Sequence, residues 1–89
     1  MLLDIVEVSY VEGYKVLITF ENGERKTADL EDRLKSKTGA IAEQLRDRAY
    51  FSQVKVNSET GTIEWPNGED ICPDLLYRIG VSVLEQKAG

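Results

Sequence analysis

The chain has 89 residues, of which 42% are apolar and 30% are charged, and this is the composition of one small globular domain rather than a disordered segment. Its net charge of −5 argues against a broad nucleic-acid surface, which needs clustered Lys and Arg, and the absence of histidine removes the commonest general base and metal ligand. Cys72 is the only cysteine and no apolar run approaches the ~18 residues of a membrane span, so we predict a cytoplasmic protein with no disulfide and no membrane contact.

Alternating apolar and polar residues predict two strands at the start of the chain. Residues 5–11 place Val6, Val8 and Tyr10 on one face, and residues 14–21 repeat the pattern. The chain turns between these two segments, so they are expected to be neighbouring strands.

A second reversal is predicted at Asn22-Gly23, because glycine tolerates the positive φ of a tight turn. The third strand is predicted over residues 24–28. A two-residue loop would place Glu21 opposite Glu24, which is an unfavourable pair of like charges. We therefore predict a three-residue loop that ends at Gly23.

The middle of the chain predicts helical segments. Asp29 is a suitable cap for a short helical turn over residues 30–34. Residues 40–48 predict a helix in which Ile41 and Leu45 lie four residues apart on one face. The residues of this helix expected to face water are Glu43, Arg46 and Asp47, and those expected to anchor its exit in the core are Tyr50 and Phe51.

The second half predicts another hairpin system followed by a helix. The predicted elements are strands at 53–57, 62–65 and 69–72, a turn at Pro66-Asn67-Gly68 and a helix that begins at Pro73. Gly80 ends this helix, or Val83 continues its apolar stripe. The elements together predict an α+β domain over residues 1–80, with a mostly antiparallel sheet, two hairpin systems and one or two short helices. Residues 81–89 are predicted to be a C-terminal tail, either a helix extension or disordered.

The most distinctive run is GTIEWPNG at 61–68, followed by Asp70, Pro73 and Leu76-Tyr77. Together with Phe20-Glu21-Asn22-Gly23 near the start, it resembles a small bacterial family, domain of unknown function 2442, over residues 3–79. The resemblance implies no established activity and no cofactor. Some members of that family are encoded beside another small protein, in pairs that look like toxin–antitoxin modules. Others carry a helix-turn-helix domain, for which this chain has no room, so direct DNA binding is not expected.

Cys72 is the one candidate nucleophile, because it lies just before a predicted helix start. Since no histidine can serve as its base, we expect instead a small buried thiol that fills space beside Ile71. No metal site is predicted, because the acidic residues that could bind a hard cation lack the spacing of a known loop; they are Glu59, Glu64, Glu69, Asp70 and Asp74. We predict no catalytic residue and no cofactor, and we expect that the protein is not an enzyme.

Two aromatic residues near the Pro66-Asn67-Gly68 turn are candidates for a binding surface. Trp65 is expected in the core, packed against Leu76, rather than at an interface. Tyr77 is expected to expose its hydroxyl near the same turn. Two short basic stretches are expected to be solvated surface, and they contain Arg33, Lys35 and Lys37 in one and Arg46 and Arg48 in the other.

Three classes of function are compatible with these patterns. The favoured class is a protein-interaction module, as an antitoxin-like partner of a small basic protein encoded nearby; a homo-oligomer is also left open. The alternatives are a nucleic-acid-associated regulator and, in last place, a small enzyme that uses carboxylates such as Glu64 and Asp70. The residues predicted to contact the partner are Glu59, Glu64, Trp65, Asn67, Glu69, Asp74 and Tyr77.

Overall fold

The computed structural model describes residues 3–36 and 38–83, with only the backbone described at Ile41. The strands are β1 Ile5–Glu12, β2 Lys15–Phe20, β3 Arg25–Asp29, β4 Lys55–Asn57, β5 Thr62–Glu64, β6 Asp70–Ile71 and β7 Val81–Ser82. The helices are α1 Glu31–Ser36, α2 Ala40–Arg46, α3 Arg48–Phe51 and α4 Pro73–Ile79. Strand pairing within this part of the chain is antiparallel, which confirms the predicted α+β class.

The strands are divided between two sheets rather than forming one. Sheet A has the order β1-β2-β3-β7, and sheet B has the order β4-β5-β6. Side chains from both sheets and from the helices between them meet in a single core, whose largest members include Ile18, Phe20, Leu45, Phe51, Ile63, Trp65 and Leu76. One shared core explains how a chain of this size keeps two small sheets together.

An aromatic cluster lies where the two sheets meet. The Phe51 ring packs edge-on against Tyr10 and Tyr14, with ring centroids 6.0 and 5.3 Å away. On its other side it lies 5.4 Å from the Trp65 ring. The Trp65 side chain is only 1% exposed, which confirms that it belongs to the core.

The first predicted hairpin turn has the three-residue loop that charge repulsion favoured. The Phe20 amide donates to the Glu24 carbonyl (2.8 Å), and the Gly23 amide donates back to the Phe20 carbonyl (2.9 Å). Gly23 has φ of 91°, which is the left-handed conformation expected of it. Glu24 therefore pairs with Phe20, and the like-charged Glu21 stays in the loop.

The second turn, Pro66-Asn67-Gly68, repeats this geometry. The Trp65 amide donates to the Glu69 carbonyl, and the Gly68 amide donates to the Trp65 carbonyl, each at 2.9 Å. Gly68 has φ of 90°. Both predicted turns are therefore confirmed.

The predicted alternation in β1 is wrong at its first position. Ile5 pairs with Phe20 but Glu7 pairs with Thr19, so β1 has one extra residue at Val6. Val6 is 52% exposed, whereas Ile5 takes the buried position that alternation assigned to Val6. A bulge of this kind shifts the register by one residue and reverses the faces beyond it.

The predicted helix over 40–48 is broken at Asp47. Asp47 has an extended backbone, with ψ of 114°, and its carboxylate accepts a hydrogen bond from the Ala49 amide (3.0 Å). It therefore caps a new turn, α3, instead of continuing α2. Arg46, predicted to face water, is half-buried, and its guanidinium donates to the Leu34 carbonyl at 3.1 and 3.2 Å.

Other middle-chain predictions have mixed outcomes. Asp29 accepts from the Glu31 amide at the start of α1, as predicted (3.0 Å). Leu45 is buried and Phe51 anchors the helix exit, also as predicted. The predictions for the Ile41 side chain and for Lys37 lie outside the described residues.

The start of the predicted C-terminal tail is a strand instead. Gly80 ends α4, and Val81 and Ser82 then pair with Thr27 and Lys26 of β3. The rest of the predicted tail, 84–89, lies outside the described residues.

The N-terminal segment joins sheet A to sheet B at a close contact. The Ile5 amide donates to the Gly61 carbonyl, and the Asp4 carbonyl accepts from the Glu21 amide, each at 2.8 Å. Gly61 is buried with φ of 74°, and a Cβ on it would lie 2.6 Å from Asp4 Cγ. Gly61 is therefore needed both for its backbone conformation and for the space that it leaves.

Replacing Gly61 with Ala is expected to destabilise the domain more than replacing Gly68 with Ala. Both changes force Ala into a left-handed conformation, which costs about 1–2 kcal/mol, but nothing lies within 4 Å of a Cβ at Gly68. The overlap with Asp4 should add about 0.5–1.5 kcal/mol to the Gly61→Ala loss, which is the cost of forcing that exposed side chain away from its present rotamer. The measurement is the free energy of unfolding in urea. Adding Asp4→Ala should remove the extra loss, and a double variant as unstable as Gly61→Ala alone would contradict this explanation.

Candidate functional site

Two of the predicted partner-binding residues have structural contacts inside the domain. The Trp65 indole N–H donates to the Phe51 carbonyl at 2.8 Å. Asn67 Oδ1 accepts from the Glu69 amide, and its Nδ2 donates to Gln44 Oε1, both at 3.0 Å. Asn67 thus closes its own turn and ties that turn to α2, and Trp65 offers almost no surface to a partner.

The predicted acidic residues do not share one surface. Glu64 alternates with buried neighbours in β5 and lies on the outer face of sheet B, whereas Glu69 is two residues from the buried Ile71 and lies toward the other face. Glu59 lies in the turn between β4 and β5, and Asp74 is exposed on α4. Glu64 and Glu69 therefore flank the turn at 65–68 on opposite faces of sheet B, whereas Glu59 and Asp74 lie on other elements.

Tyr77 lies at the first hairpin turn, not at the second as predicted. Its hydroxyl donates to the Glu24 carboxylate, with distances of 2.8 Å to Oε1 and 3.0 Å to Oε2. The Tyr77 ring packs edge-on against Phe20, with ring centroids 5.2 Å apart. Lys26 Nζ, from strand β3, lies 3.8 Å from the centroid of the Tyr77 ring. Lys26 Nζ also donates to the Tyr77 carbonyl (3.0 Å). These contacts hold α4 against β3 and the turn that precedes β3.

Hydrogen bonding keeps Glu24 ionised and Tyr77 protonated. The Tyr77 hydroxyl, and then the Asn22 side-chain amide at 2.7 Å, lower the pKa of Glu24 below its ordinary value of 4.5, and nearby Lys26 acts in the same direction. The same bond raises the pKa of Tyr77 above its ordinary value of 10.0, because losing the phenolic proton would break it and face a carboxylate. At neutral pH the pair is a fixed carboxylate and a fixed donor.

An open groove of about 260 Å³ lies beside this contact, lined by Leu3, Asn22, Glu24, Pro73, Asp74 and Tyr77. One wall is the first hairpin turn, and the other is the start of α4. Leu3 and Pro73 contribute apolar surface, and Glu24 and Asp74 contribute carboxylates. Asp74 makes no hydrogen bond or ion pair with the residues that the structure describes. The groove is therefore suited chemically to a group that is both apolar and cationic.

Only some of the residues that line this groove could be predicted from the sequence. Asp74 and Tyr77 were predicted, but Asn22, Glu24 and Leu3 were not. A signal was present, because Asn-Gly-Glu occurs at 22–24 and again at 67–69. The predicted surface was placed at the second copy, which the distinctive Trp-Pro precedes.

Cys72 is exposed, so the prediction of a buried thiol beside Ile71 is wrong. Ile71 takes the inward position in β6, and alternation turns the next residue outward, where it precedes α4. Within residues 3–36 and 38–83, no three His, Cys, Asp or Glu side chains are grouped to hold a metal ion. None of the described helices has the length and apolar content that crossing a bilayer requires.

The Tyr77–Glu24 bond predicts a defined pH dependence of stability. Since the pKa of Glu24 is lowered by folding, its contribution is present above pH 4.5 and is lost as pH falls through the lowered value. Since the pKa of Tyr77 is raised, its contribution is present below pH 10.0 and is lost as pH rises through the raised value. Tyr77→Phe should remove the loss of stability at high pH and reduce the loss at low pH, because the Asn22 amide and Lys26 still lower the pKa of Glu24. The pKa of Glu24 should rise, as measured by carboxyl NMR titration. An unchanged Glu24 titration in Tyr77→Phe would contradict the assignment.

The comparisons with known proteins give a family and no further relative. No curated protein and no solved structure matches the chain. A family model described as "Protein of unknown function (DUF2442)" matches residues 5–82, which include all seven strands and all four helices given above. The match confirms the resemblance seen in the sequence, and the chain belongs to this family of proteins of unknown function.

Proposed function

We propose that this domain is a protein-interaction module, and that a basic protein docks on the groove between the Asn22–Glu24 turn and the start of α4. The observation that carries the proposal is the groove itself, where carboxylates from two distant elements flank apolar surface. The net charge of −5 supports it, because an acidic surface speeds the encounter with a basic partner and repels acidic ones. An antitoxin-like pairing with a small bacterial protein encoded nearby is the form of the proposal that the family resemblance favours.

Binding accounts for the groove better than catalysis does. A general base must accept a proton near working pH, but hydrogen bonds hold the pKa of Glu24 below its ordinary value. A phenol that acts as a nucleophile must lose its proton, but the pKa of Tyr77 is raised. Both groups instead keep one ionisation state across a wide pH range, which is what a recognition surface needs.

The two alternative functions have no specific observation in their favour among the described residues. Two of the basic side chains that are candidates for nucleic-acid contact have partners within the domain: Lys35 pairs with Glu31 at 3.2 Å, and Arg46 binds the Leu34 carbonyl. Glu64 and Asp70, the carboxylates of the enzyme alternative, are cross-strand neighbours on sheet B and do not line the groove, and Glu64 accepts from Asn57 at 3.0 Å.

Docking should depend on Asp74 and on salt. With the purified product of the adjacent gene as partner, Asp74→Lys is expected to slow association several-fold, because it reverses a charge on the groove wall. Glu59→Lys is the matched control, since it makes the same charge change at an exposed site outside the groove. The measurement is surface plasmon resonance at low and physiological salt, where charges are screened over about 8–10 Å. Association that ignores both salt and Asp74→Lys, or that responds equally to Glu59→Lys, would contradict docking at this groove.

A second prediction concerns Cys72, whose exposure makes it easy to test. Cys72→Ser is expected to change the free energy of unfolding by no more than about 0.5 kcal/mol, as for most exposed positions. It should also leave partner binding and any cellular phenotype unchanged. A well-folded Cys72→Ser variant that lost function would overturn the non-catalytic proposal.

A further inference from the structure

Resting on the proposed function, we infer that the group received by the groove is the side chain of an arginine on the partner. Glu24 lies on the hairpin wall and Asp74 on the helix wall, so a single cation must reach carboxylates that approach it from two directions. A guanidinium spreads five donors over a rigid plane and can bridge such acceptors, whereas an ammonium concentrates its charge at one point.

The acceptor capacity of the walls is consistent with this choice. An ionised carboxylate offers about four lone-pair sites, and Glu24 already accepts from Tyr77 at both oxygens and from Asn22 at one. Little capacity is left there, whereas Asp74 has no partner among the described residues. A planar guanidinium can give one bond to Glu24 and a parallel pair of donors from another edge to Asp74.

The remaining lining suits the rest of an arginine side chain. Leu3 and Pro73 provide apolar surface against which a methylene stem can pack while its charged end reaches the carboxylates. Lys26 already lies 3.8 Å from the centroid of the Tyr77 ring, so one face of that ring carries a cation of the domain itself. The carboxylates are the groups that we expect to recognise the partner's charge.

The test is an amide NMR titration of the full chain with acetyl-arginine amide. Acetyl-citrulline amide is the control of the same shape without charge, and acetyl-lysine amide carries the charge without the planar fork. We expect saturable shifts at Asn22, Glu24, Asp74 and Tyr77 with the arginine probe, weaker binding of the lysine probe and no saturable response to citrulline. Asp74→Asn should weaken arginine binding about threefold to tenfold, by loss of a charge-assisted bond at a partly exposed site.

Asp32→Asn is the matched variant, because Asp32 is an exposed acid on α1 that does not line the groove, and it should leave binding unchanged. The inference is overturned by a citrulline or lysine response as strong as that to arginine, by shifts that map elsewhere, or by an Asp74→Asn variant that binds normally. Its failure is distinct from that of the proposed function. A partner whose docking still depends on salt and Asp74 would keep the proposed function, whereas arginine binding without any such partner would overturn that function alone.

Discussion

The packing of the domain depends on the contact between Phe51 and Trp65. The indole N–H bonds the Phe51 carbonyl, and the two rings pack 5.4 Å apart, so sheet B is held to the short helix α3 by both a hydrogen bond and apolar burial. The same Phe51 ring contacts Tyr10 and Tyr14 of the first hairpin. Helix α4 follows sheet B directly in the chain and packs against β3 of sheet A. The groove lies where the start of α4 meets the first hairpin turn.

Two turns that share the residues Asn-Gly-Glu and the same backbone hydrogen bonds have different roles in this fold. In each Asn-Gly-Glu, the Asn side-chain oxygen accepts from the Glu amide at 3.0 Å and so stabilises the loop. At the second turn the Asn67 amide group reaches out to α2. At the first turn the Asn22 amide group stays local and binds the Glu24 carboxylate, which in turn receives Tyr77. The first turn thus presents an oriented carboxylate to solvent, whereas the second turn links sheet B to α2.

Much of the fold could be predicted because it rests on local rules. Alternation in β2 correctly indicated the buried side chains, and repulsion between Glu21 and Glu24 correctly selected the loop length. The local errors arose where two rules competed. At Asp47 a capping side chain overrode helical periodicity, and at Val6 a bulge in an edge strand overrode strand alternation. Neither competitor leaves a mark in hydrophobic periodicity, which is the signal on which those predictions depended.

The groove itself could not be predicted by such rules, because its walls are far apart in sequence. Tyr77 and Glu24 are separated by 53 residues. The chain also passes close to β3 at Gly80, where a Cβ would lie 2.8 Å from that of Lys26, just before β7 pairs with β3. A site assembled in this way is present only when α4 is docked on sheet A. A partner that bridges Glu24 and Asp74 must therefore bind the docked state in preference to any state in which α4 has separated, and it will stabilise that docking by mass action. The Tyr77–Glu24 bond performs the same task in the free domain, since it holds the two walls together before a partner arrives and reduces the ordering that binding would otherwise require.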